Sequence, residues 1–282
     1  AFDHLPRLRI VLLIPPRNSK STIVQRLLPA WRWLHRPEEQ NLVLSAVEDI
    51  IDDNGRALRD LLLSADYAAI QRYLMSTGRL TPGATERGCP KGLAFGLRSD
   101  QRALANFANT AGGGRHGYVI SGTYVGVNAD VITIDDPHKI DDGLSETTSP
   151  AMKLRAMTTV RGTYKDTVQD RLVSQRWGVV ILIMQRVHEK DLADYMITEG
   201  ARVVCLPVEY DPTHPQVYRK DWRRVPGELL NPLRFGREDV AAWKRESVRG
   251  YATKQMMRPS VQEGVKFKRE WFTRRWQSLP DV

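Results

Sequence analysis

The segment Leu8–Thr22, LRIVLLIPPRNSKST, restricts the possible folds more than any other stretch of the chain. Apolar residues run uninterrupted from Ile10 to Ile14, then give way at Pro15 and Pro16 to a basic, polar turn. A continuous apolar run stopped by prolines fits a central strand buried on both faces, and a helix can start near Ser21. A strand passed to a helix through a turn ending in Lys-Ser-Thr has the layout of a phosphate-binding loop. Backbone N–H groups of such a turn and the positive end of its helix favour a polyphosphate. Lys20 then reaches the β and γ phosphates and the Ser21 hydroxyl ligates Mg²⁺, with Pro16, Arg17, Asn18, Ser19, Lys20, Ser21 and Thr22 forming the ATP-contacting set. The usual pattern G-x-x-x-x-G-K-[ST] has glycines where this chain carries Ile14 and Ser19. An ordinary strand-to-helix turn with a surface lysine is the alternative.

A second segment bears on that choice. Val131–Asp136, VITIDD, is a β-branched run ending in two carboxylates, the form of a Walker B strand. In that form Asp135 holds the Mg²⁺ shell and Asp136 orients or deprotonates the attacking water. Asp-Asp-Pro is also good turn chemistry in any protein, so a plain strand end is the competing reading. The two segments reinforce each other, because parallel α/β sheets place ligands beyond the carboxyl ends of their strands.

Together these residues resemble one family, the large terminase subunit of tailed bacteriophages, the ATPase that drives DNA into a procapsid. PPRNSKS (Pro15 to Ser21) is similar to that family's arginine-containing Walker A, commonly PPRHGKS. Pro29, Ala30 and Trp31 follow in the family's manner, then LVLSA (Leu42 to Ala46) and the Walker B segment IDDPHK (Ile134 to Lys139). IMQRVHEKDLAD (Ile183 to Asp194) resembles its I-M-T-R-W-H-E-D-D-L-A-G block. GELLNPLRF (Gly227 to Phe235), QMMRP (Gln255 to Pro259) and VKFKREWF (Val265 to Phe272) match in order toward the end.

The resemblance implies an ASCE-type P-loop NTPase, a doubly wound, mostly parallel α/β sheet with a C-terminal appendage. It implies ATP and Mg²⁺ as ligands, Arg17 and Lys20 as phosphate-compensating cations, and Gln185 as reporter of the γ-phosphate. The implied partners are double-stranded DNA, a portal protein, a small terminase subunit and further copies in a ring. The implied place of action is the host cytoplasm, docked on a procapsid, with no membrane involved. Three departures stand out: Asn18 and Ser19 replace His-Gly, Gln185 stands where Thr is frequent, and Val127 occupies a position where many relatives have arginine. Position 19 matters because a side chain there opposes the tight turn that glycine permits. With Val127 apolar, Arg115 in the glycine-rich GGGRHG becomes the candidate arginine acting across a subunit interface, a solvated loop arginine being the alternative.

Composition agrees without deciding. A chain of 282 residues can bury a full core, and its net charge of +9 suits a polyanionic partner. Cys89 and Cys205 lie far apart with no C-x-x-C spacing, which points to neither a zinc site nor a disulfide framework. No apolar run approaches the roughly 18 residues of a membrane span, and no signal peptide is evident.

Alternating apolar runs and helical patterns predict strands at Leu42–Ser45, Val131–Ile134, Val179–Met184 and Val203–Leu206. They predict helices over Val47–Ser64 and Asp66–Met75, and one after the loop with Ile23, Val24, Leu27, Leu28, Trp31 and Leu34 on one side, bent by Pro29. The glycines from Gly112 to Gly117 read as a mobile turn leading into Tyr118–Gly122. Residues 1–210 read as the ATPase core. Residues 211–282, punctuated by Pro212, Pro215, Pro226 and Pro232, read as an irregular appendage with one helix near Glu238–Met257. The basic and aromatic stretch Lys266–Arg275 can follow a phosphate backbone or pack its aromatics inward. In the resembling family this region leads into an RNase H-like nuclease domain. The expectation is therefore a motor fragment that lacks nuclease acids and cuts no DNA, with an adenine-contacting segment upstream also missing. Two rival readings remain: a metal-dependent nuclease using His138 and His188 with Asp135, Asp136, Glu189 and Asp191, and a passive DNA-binding module.

Overall fold

Four apolar runs become the centre of one sheet. The computed structural model describes residues 8–83, 88–139, 145 and 147–259. Within them lie β1 (Leu8–Leu13), a π-helical turn (Thr22–Leu27), α1 (Leu28–Trp33), β2 (Gln40–Ser45), α2 (Glu48–Leu63) and α3 (Ala65–Ser76). Next come β3 (Leu97–Arg102), β4 (Phe107–Asn109), β5 (Gly114–Val119), β6 (Val131–Asp135) and α4 (Pro150–Thr163). β7 (Val179–Met184), α5 (Leu192–Thr198), β8 (Arg202–Cys205) and α6 (Arg237–Glu246) complete the labelled elements.

The strands form an eight-stranded sheet in the order β3-β4-β5-β2-β6-β7-β1-β8. Pairing is parallel from β5 to β8 and antiparallel only where β3 and β4 extend the edge. This is the expected α/β sheet, wound on both faces. Val11, Leu13, Ile132, Ile134, Leu182 and Met184 pack on one side with Met157 of α4 and Leu192 and Met196 of α5. On the other side Val131, Ile181 and Ile183 meet Val24 and Leu28, while Trp33, Leu58, Tyr67, Phe95 and Phe107 form a second cluster. Strands covered on both faces place apolar residues on both, which is why the runs Ile10–Leu13, Leu42–Leu44 and Val179–Met184 lack alternation. β7 lies between β1 and β6, so the strand that leads into the loop and the strand that ends in Asp135 are not direct neighbours.

Several expectations need correcting. The helix after the loop opens as a π-turn, with the Leu28 N–H bonding to Ile23 O. Pro29 has no N–H to give the normal i−4 bond, and the wider turn rotates the residues around it. Ile23, Leu27 and Trp31 consequently lie half exposed, while Val24, Gln25, Ala30 and Trp33 face inward. The glycines at 114 and 117 lie inside β5 and form no mobile turn; a Cβ at Gly117 would collide with the Ile51 side chain. Here glycine serves close packing of strand against helix, and only Gly112, with φ +97°, uses its conformational freedom. The helix expected near Glu238–Met257 breaks at Ser247, whose extended backbone (φ −158°, ψ 106°) lets its Oγ accept from Gly250 N–H. A short turn at Val248–Gly250 and a π-turn at Tyr251–Gln255 follow. Lys266–Arg275 lies outside the described residues.

The segment after β8 folds back on the core. Arg223 is fully buried, forks onto Asp221 at 2.8 and 3.1 Å and donates to the Pro207 carbonyl at 2.8 Å. Val208, Val240 and Tyr251 form a small core of their own beside Trp243 and Leu229.

Candidate active site

All the candidate groups but one meet at the carboxyl ends of β1, β6 and β7. Leu13 pairs with Met184 and Asp135 with Ile183, so the loop after β1, the acids ending β6 and Gln185 after β7 emerge side by side. Asp136 N–H donates to Ile183 O at 2.9 Å, and Asp136 Oδ1 accepts from Gln185 N–H at 3.2 Å. Its other oxygen pairs with Lys20 Nζ at 2.8 Å. The loop's lysine, the second acid and the β7 exit are thus one connected unit.

The loop takes up the backbone that its missing glycine would have supplied. Ser19 has φ 58° and Arg17 φ 60°, both left-handed, with Asn18 between them. Alternating handedness of this kind turns successive N–H groups toward one side and makes a concavity suited to an anion. The Asn18 amide braces the turn by donating to the carbonyls of Pro16 at 3.1 Å and Pro15 at 3.4 Å. The helical segment then runs away from the loop, with Ile23 N–H bonded to Ser19 O at 3.0 Å. Asp136 is also left-handed, at φ 39°, so three strained residues cluster at one place. Such strain persists only where the surroundings over-determine it, and it concentrates at functional sites.

Asp135 is 1% exposed and hydrogen-bonded through Oδ2 to the Gln25 side-chain amide. Burial, followed by the charge of Asp136, raises its carboxyl above the usual range, with Ser21, Lys20 and Gln25 opposing. Its Oδ1 is buried without a hydrogen-bond partner, as is Gln185 Oε1. An unpaired buried carboxylate oxygen beside a serine hydroxyl fits the donor set of a hard cation such as Mg²⁺. Ser21 and Asp135 could hold such an ion.

A cleft of about 340 Å³ opens over this arrangement, lined by Pro16, Arg17, Ser19, Lys20, Ser21, Thr22, Asp136, Gln185 and Arg234. Arg234 was not singled out from the sequence. It lies 214 residues from Lys20 in a polar, proline-rich segment, and only the fold brings it to the loop.

Arg115 is the exception among the candidates. It is 1% exposed, and its guanidinium donates to Ala105 O at 2.5 Å and Ile51 O at 3.0 Å. Burial lowers it to about 10. A side chain locked between β5 and α2 cannot reach across an interface, so the assignment of Arg115 as a trans-acting arginine is withdrawn. Its placement follows from β5 being a strand rather than a mobile turn.

Two residues of the rival metal-site reading, His138 and Asp191, are engaged otherwise. His138 Nε2 accepts from Leu192 N–H at 3.0 Å, and Asp191 pairs with Arg186 at 2.9 Å while capping α5 through Asp194 N–H. Among the described residues no group of three or more His, Cys, Asp or Glu is placed to hold a metal ion. Among the described residues no helix is long and apolar enough to cross a membrane.

Neither the protein-family models nor the curated proteins compared with the chain give a match. Among solved structures, the large terminase of bacteriophage HK97 aligns with 12% identity over 90% of this chain and 47% of that one, at a TM-score of 0.43. The chain thus spans about half the length of that protein.

Proposed function

We propose that the chain is the ATP-hydrolysing motor domain of a phage-type large terminase subunit, coupling ATP turnover to translocation of double-stranded DNA. The observation that carries the ATPase reading is the Lys20–Asp136–Gln185 unit beneath a left-handed loop at the strand ends. A lysine held at 2.8 Å from an acid is already aimed at the cleft, and a phosphate chain entering the concavity competes for the same ammonium. Ser21 and Asp135 would hold Mg²⁺, which would supply charge neutralisation to the phosphate chain. Asp136, released from Lys20, accepts a proton from water aligned on the γ-phosphorus. Gln185 shares a hydrogen bond with Asp136 through its backbone, so a change at the γ position reaches β7 directly. Arg17, exposed at the loop, adds positive charge.

The terminase part of the reading rests on the order of the sequence motifs. With it come the partners: double-stranded DNA, a portal protein, a small terminase subunit and a homo-oligomeric ring, acting in the host cytoplasm. The test is nucleotide titration of the wild type and Lys20→Ala, with and without double-stranded DNA. Mg-ATP binding that Lys20→Ala weakens by at least tenfold, with turnover stimulated by DNA, supports the motor. Binding unaffected by Lys20→Ala removes the loop from the site, and turnover indifferent to DNA removes the translocation reading.

A further inference from the structure

The cleft is lined in part by a residue that belongs to none of the phosphate-loop, acid or β7 elements. Arg234 follows Pro232 in the segment between β8 and α6, and it lines the same cavity as Lys20, Ser21, Thr22, Asp136 and Gln185. Those neighbours are the groups assigned to the phosphate end of the nucleotide. Arg234 is solvent-exposed, and among the described residues its guanidinium pairs with no carboxylate. It lies over the Phe235 ring at 5.6 Å, and Phe235 meets Trp243 of α6 edge-on at 5.2 Å. The turn that presents it is fixed by bonds from the N–H groups of Arg234 and Phe235 to Asn231 O, at 3.1 and 3.0 Å.

We infer that Arg234 is a γ-phosphate-contacting arginine supplied in cis by the segment after β8, and that this contact makes the position of α6 depend on the nucleotide. The inference rests on the ATP reading of the site. Arg17, Lys20 and Arg234 outnumber the one carboxylate, Asp136, that lines the same cleft and pairs with Lys20, so the cleft carries an excess of positive charge that favours an anion. A planar, five-donor fork suits a terminal phosphate better than a diester, because the γ group offers three free oxygens. The ring pair Phe235 and Trp243 then gives the movement a path: a guanidinium drawn toward phosphate carries Phe235, and Phe235 carries the face of α6 packed against it. On loss of the γ group the attraction falls and the segment is released.

The experiment compares Mg²⁺ complexes of a non-hydrolysable ATP analogue and of ADP. It uses wild type, Arg234→Ala, Arg234→Lys and Lys20→Ala, with calorimetric affinity and backbone hydrogen exchange over residues 231–246 as readouts. A charge-assisted hydrogen bond to phosphate predicts about ten- to a hundredfold weaker binding of the triphosphate by Arg234→Ala. ADP binding should change by less than about twofold, and Arg234→Lys should recover part of the loss. In the wild type the triphosphate should slow exchange over residues 231–246 and ADP should not; Arg234→Ala should lose that difference. Equal affinity of wild type and Arg234→Ala for the triphosphate, with Lys20→Ala still impaired, overturns the role of Arg234 and leaves the ATP site standing. Equal losses for ADP and triphosphate overturn the γ assignment. A wild type that binds neither nucleotide overturns the ATP reading itself. Arg234 is exposed, so thermal melts of its variants should match the wild type, and a lowered melt of both variants would reassign the residue to packing.

Discussion

Replacing Ser19 by glycine should stabilise the protein, which runs against the usual effect of adding a glycine. Ser19 holds φ 58° in the loop, and a left-handed backbone costs an L-residue with a Cβ about 1–2 kcal/mol. Glycine removes that cost but gives the unfolded chain extra freedom worth about 0.5–1 kcal/mol. The difference is a net gain of about 0–1.5 kcal/mol with a midpoint of about 0.75, which at that midpoint is an increase in Tm of about 2–3 °C for a domain of this size. Ser19→Ala keeps the Cβ and should melt close to the wild type. Ser19→Val puts a β-branched side chain in the same region and should lower Tm, since branched residues are true outliers there. Thermal unfolding of the four proteins, followed by circular dichroism, gives the order Gly, Ser or Ala, Val. A glycine variant melting below the wild type, or a valine variant matching it, would show that the loop does not hold the left-handed backbone on which the anion site depends.

Other consequences are separate. Gln25→Leu removes the amide that holds Asp135 Oδ2 and should raise the Mg²⁺ concentration needed for half-maximal turnover by about tenfold or more, as loss of a group orienting a metal ligand does. Arg115→Ala should lower stability by about 3 kcal/mol or more, because it empties a buried site and strands the carbonyls of Ala105 and Ile51. Denaturant titration checks this; a normally stable variant with slow turnover would return Arg115 to the chemistry. The raised Asp135 carboxyl means the folded protein binds that proton more tightly than the unfolded chain. Without divalent cation its contribution therefore favours folding at acid pH and is lost as pH climbs from the ordinary carboxylate range through the raised value. Mg²⁺ competes with that proton, so it should raise Tm more at pH 7.5 than at pH 5, and equal effects at the two would exclude Asp135 as ligand.

The central strands and the two acids were legible because their signals are local. β1, β2, β6 and β7 are covered on both faces, so each carries a mostly apolar run, from Ile10–Leu13 in β1 to Val179–Met184 in β7. α2 and α3 were also placed within a residue or two of their ends. β3, with the sequence LRSDQR, is a polar edge strand that no apolar run announces, and α4 has little one-sided patterning to reveal it. β5 was hidden by its glycines, which signal flexibility in isolation and close packing only once Ile51 is seen beside Gly117. The inward face of the first helix was misjudged because a π-turn ahead of Pro29 breaks the 3.6-residue period. Ser19 looked like an obstacle to the loop, yet its backbone is left-handed all the same. Gln25 carried no sequence signal and Arg234 entered only as one letter of GELLNPLRF, since each gains its meaning from a partner more than a hundred residues away.

The most direct test of the account is single-turnover release of phosphate from Mg-ATP by the wild type and Asp136→Asn. Asparagine keeps the shape of the side chain and its contact with Gln185 but cannot take a proton from water. The account predicts that the variant binds Mg-ATP at least as well as the wild type, because Lys20 no longer has a charged partner, and releases phosphate about 100- to 10,000-fold more slowly. Phosphate release by Asp136→Asn at the wild-type rate, or no release by the wild type under conditions where it binds Mg-ATP, would contradict the assignment of this site as an ATPase built on Lys20 and Asp136.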